Sequence, residues 1–410
     1  MERALRDAWW PAAAAVARVT GDIGLVEDAV QEACAEALER WSRNGVPDNP
    51  GGWVVTVARR RAVDQMRREA ARGVKELLAV HDLGSTGPPG DVAIAGDDQL
   101  ALLFACCHPA LDANVRVTLT LRMVCGLSTP TVARLLLLPE ATVAQRLVRA
   151  KRKIRDAGIR LRVPDEQQLP ARLQAVLKAI YLTFTEGHAP TSTAEVTVAE
   201  LCEESLRLAR ALHRLLPGEP EVTGLLALIL LTTARSPARI DEDGELVLLP
   251  DQDRSRWDPR LIGEGRSLVV EALGQQRPGP YQLQAAIAAC HADAATAVDT
   301  DWREIASLYG ELLRFEPSPV IEANRAVAVA YAEGTAAGLA ILDTLTASSD
   351  LARWPQLHIA RGGLLARAGR PEDAVAAYRA ALALEPATAT RQFLTRQIAA
   401  LRATAPPTED

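Results

Sequence analysis

The chain is poor in the features that most function classes require. Aromatic residues make up 4% of its 410 positions. Alanine and leucine dominate instead, a composition that favours helices over strands. Six cysteines, at positions 34, 106, 107, 125, 202 and 290, form no recognisable disulfide framework. Long apolar runs are missing too. The most apolar stretch, Gly224 to Ala234, is about half the length that a bilayer span needs. Met1 to Ala12 carries acids and two tryptophans rather than a clean apolar run, so no secretory signal is expected. These absences argue against a membrane protein or a disulfide-stapled secreted scaffold. They point to a soluble, reducing, cytoplasmic setting.

Signs of catalysis are equally sparse. Glu186 and His188 near Tyr181 are the best acid/base pair on offer. No nucleophile, glycine-rich phosphate loop or cofactor fingerprint accompanies them, so they read as structural and no enzyme is expected. Cys106, Cys107, His108 and Cys125 suggest zinc at first sight. Adjacent cysteines do not fit the usual C-x₂₋₄-C ligand pair, so buried apolar thiols are expected instead. Asp241, Asp243, Gly244 and Glu245 resemble a calcium loop. Arg239 occupies the first ligand position, however, and no glutamate stands at the twelfth, so an exposed acidic turn is expected. No cofactor and no metal are predicted.

What the chain does have is an uneven distribution of charge. The net value is −6. Residues 1–163 carry 23 Lys+Arg against 19 Asp+Glu, or +4, and the remainder carries 23 against 33, or −10. Within Val115 to Val163 the ratio is 11 basic to 2 acidic residues. A concentrated basic surface attracts phosphates locally whatever the overall charge.

The centre of that basic surface is Thr129 to Gly158. Val132, Leu135, Leu136 and Leu138 suit a packed first helix, and Pro139 then punctuates the chain. In a second helix Val143, Leu147 and Ile154 keep an apolar stripe. Between them sit Gln145, Arg146, Arg149, Lys151, Arg152, Lys153 and Arg155. One face of such a helix meets a small core and another meets phosphates and base edges. That is what a helix-turn-helix reader of the major groove requires. Glu140, Thr142, Gln145, Arg146 and Arg149 lie nearest the end expected to enter the groove, where Arg pairs with guanine and Gln with adenine. Lys151, Arg152 and Lys153 come later and suit phosphate contacts, which position without specifying.

Three blocks emerge along the chain. The first, residues 1–78, reads as three or four helices. Asp22 is placed to cap a helix whose apolar side includes Val26, Val30, Cys34 and Leu38. Turn formers fill Asn44 to Gly52, and Trp53 to Arg72 is helical again, with Trp53, Val57, Ala58 and Met66 on one side. Its other side carries Arg59, Arg60, Arg61, Asp64, Arg67 and Arg68. The spacing of Trp53 with Val57 favours a core role for the indole over a stacking platform. Residues 79–96, which include the turn-rich Gly84 to Asp91, form a flexible linker. The second block, 97–163, contains the helix-turn-helix. The third, 164–410, is acidic and helical. In it Tyr309, Leu313, Glu316 and Pro317 recur 69 residues later as Tyr378, Leu382, Glu385 and Pro386, and Gly334 recurs 35 residues later as Gly369. These offsets are two units and one unit of the tetratricopeptide period. Gly362, Ala374, Tyr378, Ala381 and Pro386 give the last unit the best fit. The fold class is therefore all-α: two small helical domains, the second a DNA-binding helix-turn-helix, followed by a tetratricopeptide-like array.

The first two blocks resemble an extracytoplasmic-function (group IV) sigma factor of RNA polymerase. Val26 to Leu38 is similar to the helix that docks on the polymerase clamp, Gly51 to Glu69 to the helix that handles the minus-ten element, and Thr129 to Ile154 to the minus-thirty-five reader. Leu102 to Leu111, Tyr181 to His188, Leu246 to Asp258 and the long tail resemble the subgroup with a C-terminal tetratricopeptide-like extension. Arg60 stands where the family pattern usually has Asn, and Leu137 where many helix-turn-helix proteins place glycine. A left-handed turn would cost that leucine roughly 1–2 kcal/mol.

The resemblance implies binding to core RNA polymerase through Asp28, Gln31 and Glu32. It implies minus-ten contacts from Arg59, Arg60, Arg61, Asp64, Arg67 and Arg68, and a loop at Asn44 to Gly52 that receives a flipped base. Promoter DNA, duplex and melted, is then the second partner, and a regulatory protein on the repeats a third. The competing reading is a stand-alone helix-turn-helix regulator with a tetratricopeptide sensor. Such a regulator has no need of an acidic Glu27, Asp28 and Glu32 helix beside an Arg-rich one.

Overall fold

The computed structural model describes residues 1–72, 96–136, 138–188, 195–242, 247–348, 350–386 and 388–404. Helices account for the regular structure of these residues, and none of them lies in a β-strand. The expected linker at 79–96 falls largely outside them. So do Leu137 and three of the four residues of the supposed calcium loop, and the side chains of Glu186 and His188. The chain divides into two compact units, Met1–Thr185 and Glu186–Asp410.

The first unit opens with three helices, α1 (Glu2–Thr20), α2 (Ile23–Asn44) and α3 (Pro50–Arg72), which pack on one another. Gly21 adopts a left-handed φ of 65° to close α1. One residue on, the Asp22 carboxylate accepts the Gly24 N–H at 2.7 Å, capping α2 as its sequence position predicts. The buried side of α2 is Ile23, Val26, Ala29, Val30, Ala33, Ala37 and Trp41. Leu38 is not on it, being 49% exposed. The stripe expected at Val26, Val30, Cys34 and Leu38 advances by four residues at each step, so it drifts about 40° per step around a 3.6-residue helix. Small alanines and then Trp41 hold the true core line. The turn after α2 is also shorter than expected. α2 runs to Asn44, α3 starts at Pro50, and the Asn49 side chain accepts the Gly52 N–H at 2.9 Å.

Four helices follow: α4 (Gly96–Cys106), α5 (Ala113–Leu119), α6 (Thr129–Leu135) and α7 (Glu140–Asp156). α5 runs into a single π-helical turn, Thr120–Val124. There the Leu127 N–H reaches back to the Leu121 carbonyl at 3.1 Å rather than to Met123. The Met123 carbonyl is thus left for a different donor, and the Trp9 indole N–H takes it at 3.1 Å. Trp10 donates likewise to the Gln99 carbonyl at 3.2 Å. Gly126, with φ 76°, lies under the Trp9 ring; a Cβ there would come within 2.5 Å of it. The two tryptophans of α1 therefore tie the three-helix group to α4 and to the π turn that precedes α6. Cys106, Cys107 and Cys125 are buried, and burial pushes the Cys107 thiol up to about 11 while its sulfur meets Thr120 Oγ1 at 3.3 Å. No cluster of metal-binding side chains occurs among the described residues. α8 (Leu169–His188) completes this unit and crosses its boundary.

The second unit contains α9 (Glu195–Leu215), α10 (Pro220–Thr233), α11 (Pro259–Gly274) and α12 (Pro280–Asp293). α10 is apolar all round and packs against α9, α11 and α12, which is why the most apolar stretch of the chain is a core helix. No helix among the described residues is long and apolar enough to cross a membrane. Between α10 and α11, Arg254 fastens the segment that resembles the subgroup's tail. Its guanidinium donates to the carbonyls of His291 and Ala294 and to Thr300 Oγ1.

The tetratricopeptide-like array follows as α13 (Trp302–Phe315), α14 (Pro319–Ala332), α15 (Thr335–Ser348), α16 (Pro355–Arg367), α17 (Pro371–Leu382) and α18 (Thr388–Thr404). α13, α15 and α17 begin at 302, 335 and 371, spacings of 33 and 36 residues. Gly334 and Gly369 both have positive φ, 115° and 72°, at the turns into α15 and α17. In the last unit the Tyr378 ring covers Gly362 so closely that a Cβ would lie 2.5 Å from it, while Ala374 and Ala381 are fully buried.

Candidate nucleic-acid interface

α6 and α7 form the helix-turn-helix. Ser128 caps α6, its hydroxyl accepting the Thr131 N–H at 3.2 Å. Pro139 stands at the N-cap of α7 with an extended φ/ψ that suits the residue before a helix. α7 buries Val143, Leu147, Ala150 and Ile154 and leaves most of its remaining side chains to solvent. Glu140, Gln145, Arg149, Arg152 and Lys153 are exposed, and Thr142 is half-buried. Arg149 reaches back to Gln145 at 3.4 Å, and Arg152 pairs with Asp156 at 3.3 Å. These are surface contacts that a phosphate or a base can displace at little cost.

Two basic residues of α7 turn elsewhere. Arg146 is half-buried and donates to Thr118 Oγ1 at 3.2 Å. Lys151 is only 19% exposed and binds Glu27 of α2 at 2.8 Å. The same carboxylate takes Arg122, whose side chain is 2% exposed and whose guanidinium also donates to the Leu127 carbonyl at 2.8 Å. Burial alone would raise the pKa of Glu27. The hydrogen bonds from Lys151 and Arg122, and their charges, reverse the sign and hold it below the ordinary carboxylate value. Arg122 was not legible as a site residue. It sits in an apolar run, and the one signal for it is that a charge buried there demands a partner.

On α2, Asp28, Gln31 and Glu32 are exposed together, one turn apart on the side opposite Val26 and Val30. The Arg-rich side of α3 lies beside this helix. Arg61 donates to Glu36 at 2.8 Å and lies 3.7 Å from Glu32. Arg40 and Arg60 approach Glu36 at 2.9 and 3.7 Å. Glu36 would be raised by burial, but these cations keep its pKa lowered. Arg60, Arg67 and Arg68 remain exposed with Asp64, and Arg59 is half-buried. Trp53 is half-buried, edge-on to Trp41 with ring centroids 5.6 Å apart. Its packing against Trp41 accounts for the ring without a base.

Comparison with known proteins resolves what these helices belong to. Residues 11–72 match the pattern of sigma-70 region 2, and residues 101–154 that of sigma-70 region 4. Residues 172–273 match a family of unknown function, DUF6596. SigK of Mycobacterium bovis, an ECF RNA polymerase sigma factor, is 32% identical over 149 residues, covering 34% of this chain and 76% of SigK. The chain belongs to the extracytoplasmic-function family of RNA polymerase sigma factors. SigI of Mycobacterium tuberculosis, a probable ECF sigma factor, is 29% identical over 180 residues, covering 42% of this chain and 59% of SigI. An uncharacterised protein of Rhizobium meliloti is 42% identical over 389 residues, covering 94% of this chain and 92% of that relative. The similarity to it therefore extends through the C-terminal extension as well as the two sigma regions. No solved structure matches the chain. As in the family, the expected partners are RNA polymerase and promoter DNA, and the work is transcription initiation rather than bond chemistry.

Proposed function

We propose that this sigma factor docks on core RNA polymerase through the Asp28, Gln31 and Glu32 face of α2. In this reading α7 reads a minus-thirty-five element and α3 handles a melted minus-ten element. Glu140, Thr142, Gln145, Arg146 and Arg149 face base edges, while Arg152 and Lys153 take phosphates and Lys151 joins them once its contact with Glu27 opens. Arg59, Arg60, Arg61, Asp64, Arg67 and Arg68 serve the minus-ten strand. The observation that carries this reading is the pairing, in one compact unit, of an exposed acidic helix face with a helix-turn-helix whose second helix is basic outside and apolar inside. A stand-alone regulator accounts for the second feature and not for the first.

The acidic C-terminal extension then modulates activity, either covering basic surface at the high effective concentration that tethering gives, or offering its repeats to a regulatory protein. The test is reconstitution with core polymerase. The full chain should copurify with core in about equal stoichiometry and direct transcription from a cognate promoter. Sequence-specific DNA binding by the chain alone, with no affinity for core, would establish the regulator reading instead. A folded variant ending near Thr185, within α8, separates the roles of the extension. Higher transcription indicates restraint and lower transcription indicates support. Unchanged transcription under every condition would end the modulating role.

A further inference from the structure

A second concentration of positive charge lies just past α7, away from the base-reading residues. A cleft of about 400 Å³ is lined by His108 and Ala110, by the turn and chain from Ala157 to Pro164, and by Gln168 and Arg172 at the start of α8. Its ionisable lining residues are His108, Arg160, Arg162 and Arg172, with no carboxylate among them. Two nearby acids already have partners. Asp165 Oδ1 accepts the Gln168 N–H at 3.0 Å, and Asp156 pairs with Arg152. The carbonyls at the end of α7 are spent as well. Ala157, Gly158 and Ile159 return their N–H groups to Lys153, Arg155 and Ile154 at 2.9–3.0 Å.

The donors, in contrast, are in surplus. Arg172 uses one Nη on the Phe104 carbonyl at 2.8 Å, yet its Nε is buried with no hydrogen-bond partner. Burial, with Arg162 nearby, lowers the pKa of Arg172. His108 Nδ1 accepts the Ala110 N–H at 3.1 Å, which leaves the proton of the neutral ring on Nε2 as a further donor. Burial, then Arg172 and Arg116, hold that ring towards its neutral form. Like charges gathered without a counter-charge cost free energy, and a buried orphan N–H adds to the cost. An anion in the cleft removes the first of these penalties. Three guanidinium groups line one cleft, offering more donors than the two oxygens of a flat carboxylate accept, and an oxyanion with three accessible oxygens takes more of them. The volume exceeds that of a bare ion and falls in the range of small-molecule sites.

We propose that this cleft is a receptor for a phosphoryl group carried on a larger molecule, held by Arg160, Arg162, Arg172 and His108. The phosphoryl group is that of a phosphate monoester or of a DNA backbone, and the experiment separates the two. Full-length protein with ¹³C-labelled histidine rings is titrated with inorganic phosphate, adenosine 5′-monophosphate, adenosine, and a duplex lacking any promoter. His108→Gln assigns the ring signal. Phosphate and the monophosphate are expected to shift the His108 signal while adenosine does not. The exposed double variant R160Q/R162Q should melt as the parent does and lose about tenfold or more in affinity. A shift by the duplex alone, absent in R160Q/R162Q, assigns the group to the DNA backbone. The proposal is overturned if no phosphoryl-bearing probe moves the signal, if adenosine moves it equally, or if R160Q/R162Q responds as the parent does.

Discussion

Glu27 of α2 binds Lys151 of α7 at 2.8 Å, joining the helix expected to dock on polymerase to the helix expected to read DNA. Arg122 completes the junction from the π turn between α5 and α6. One carboxylate thus neutralises two cations from the second sigma region, one of them almost fully buried. Lys151 is unavailable to a phosphate while this contact holds.

Removing that carboxylate should leave Arg122 buried without its charge partner. Glu27→Ala is expected to cost about 3 kcal/mol, the range for breaking such a pair. The pH dependence has a definite sign. Because the folded-state pKa of Glu27 is lowered from the usual 4.5, its stabilisation is present above that value and is lost as pH falls through the folded value. Thermal melts of the parent and of Glu27→Gln should therefore differ at neutral pH and converge in acid. A gap that stays constant down to strongly acidic pH would refute the pairing.

Freeing Lys151 should also change DNA binding. Glu27→Gln keeps a hydrogen-bond acceptor but weakens the hold on the lysine. Its affinity for duplex DNA at low salt is expected to rise and its salt dependence to steepen by about one phosphate contact. Anisotropy titrations across salt concentrations measure both quantities.

Arg149 is exposed and only loosely held by Gln145, so Arg149→Ala should relax preference at one base pair and cost about 1–3 kcal/mol. Arg146 must first leave Thr118 Oγ1 to act in the same way. Thr118→Val therefore provides a control, because it removes that competing acceptor. Binding to a panel of single-base promoter variants reads the effect. Unchanged ranking in both arginine variants would remove them from the specificity set.

Charge reversal on the acidic face, Asp28→Lys or Glu32→Lys, should weaken binding to core polymerase while the melting temperature stays near that of the parent. Both side chains are exposed. Glu32 has a distant partner in Arg61 at 3.7 Å, so Asp28 is the cleaner test. Equal affinity for core at physiological salt would show that another surface docks.

Gly362→Ala should destabilise the array. The added methyl would lie 2.5 Å from the Tyr378 ring, which is buried and packs with Ala381, Phe393 and Leu394. Overpacking of this kind costs about 1–3 kcal/mol. Denaturant unfolding of the full chain, followed by tyrosine and tryptophan fluorescence, should show the second unit melting earlier with the first unchanged.

The amino-acid sequence by itself determined the elements and their types. Alanine and leucine periodicity gave the helices, Asp22 and Pro139 marked where two of them start, and the recurrence of Tyr309 at Tyr378 set the spacing of the array. These features are local or periodic, so a linear reading captures them. Tertiary structure decided which polar groups are free. Lys151 and Glu27 are 124 residues apart in the chain, and Arg122 and Glu27 are 95 apart. Nothing in helical spacing says that two charged faces so distant will meet, because each is individually a normal solvated surface. The same limit explains Leu38, left exposed because the partners of α2 chose Ala37 and Trp41. It also explains the cleft beside Arg172, whose donors come from chain segments before and after α7. Periodicity fixes which residues share a face, whereas the packing of one element on another fixes what that face touches.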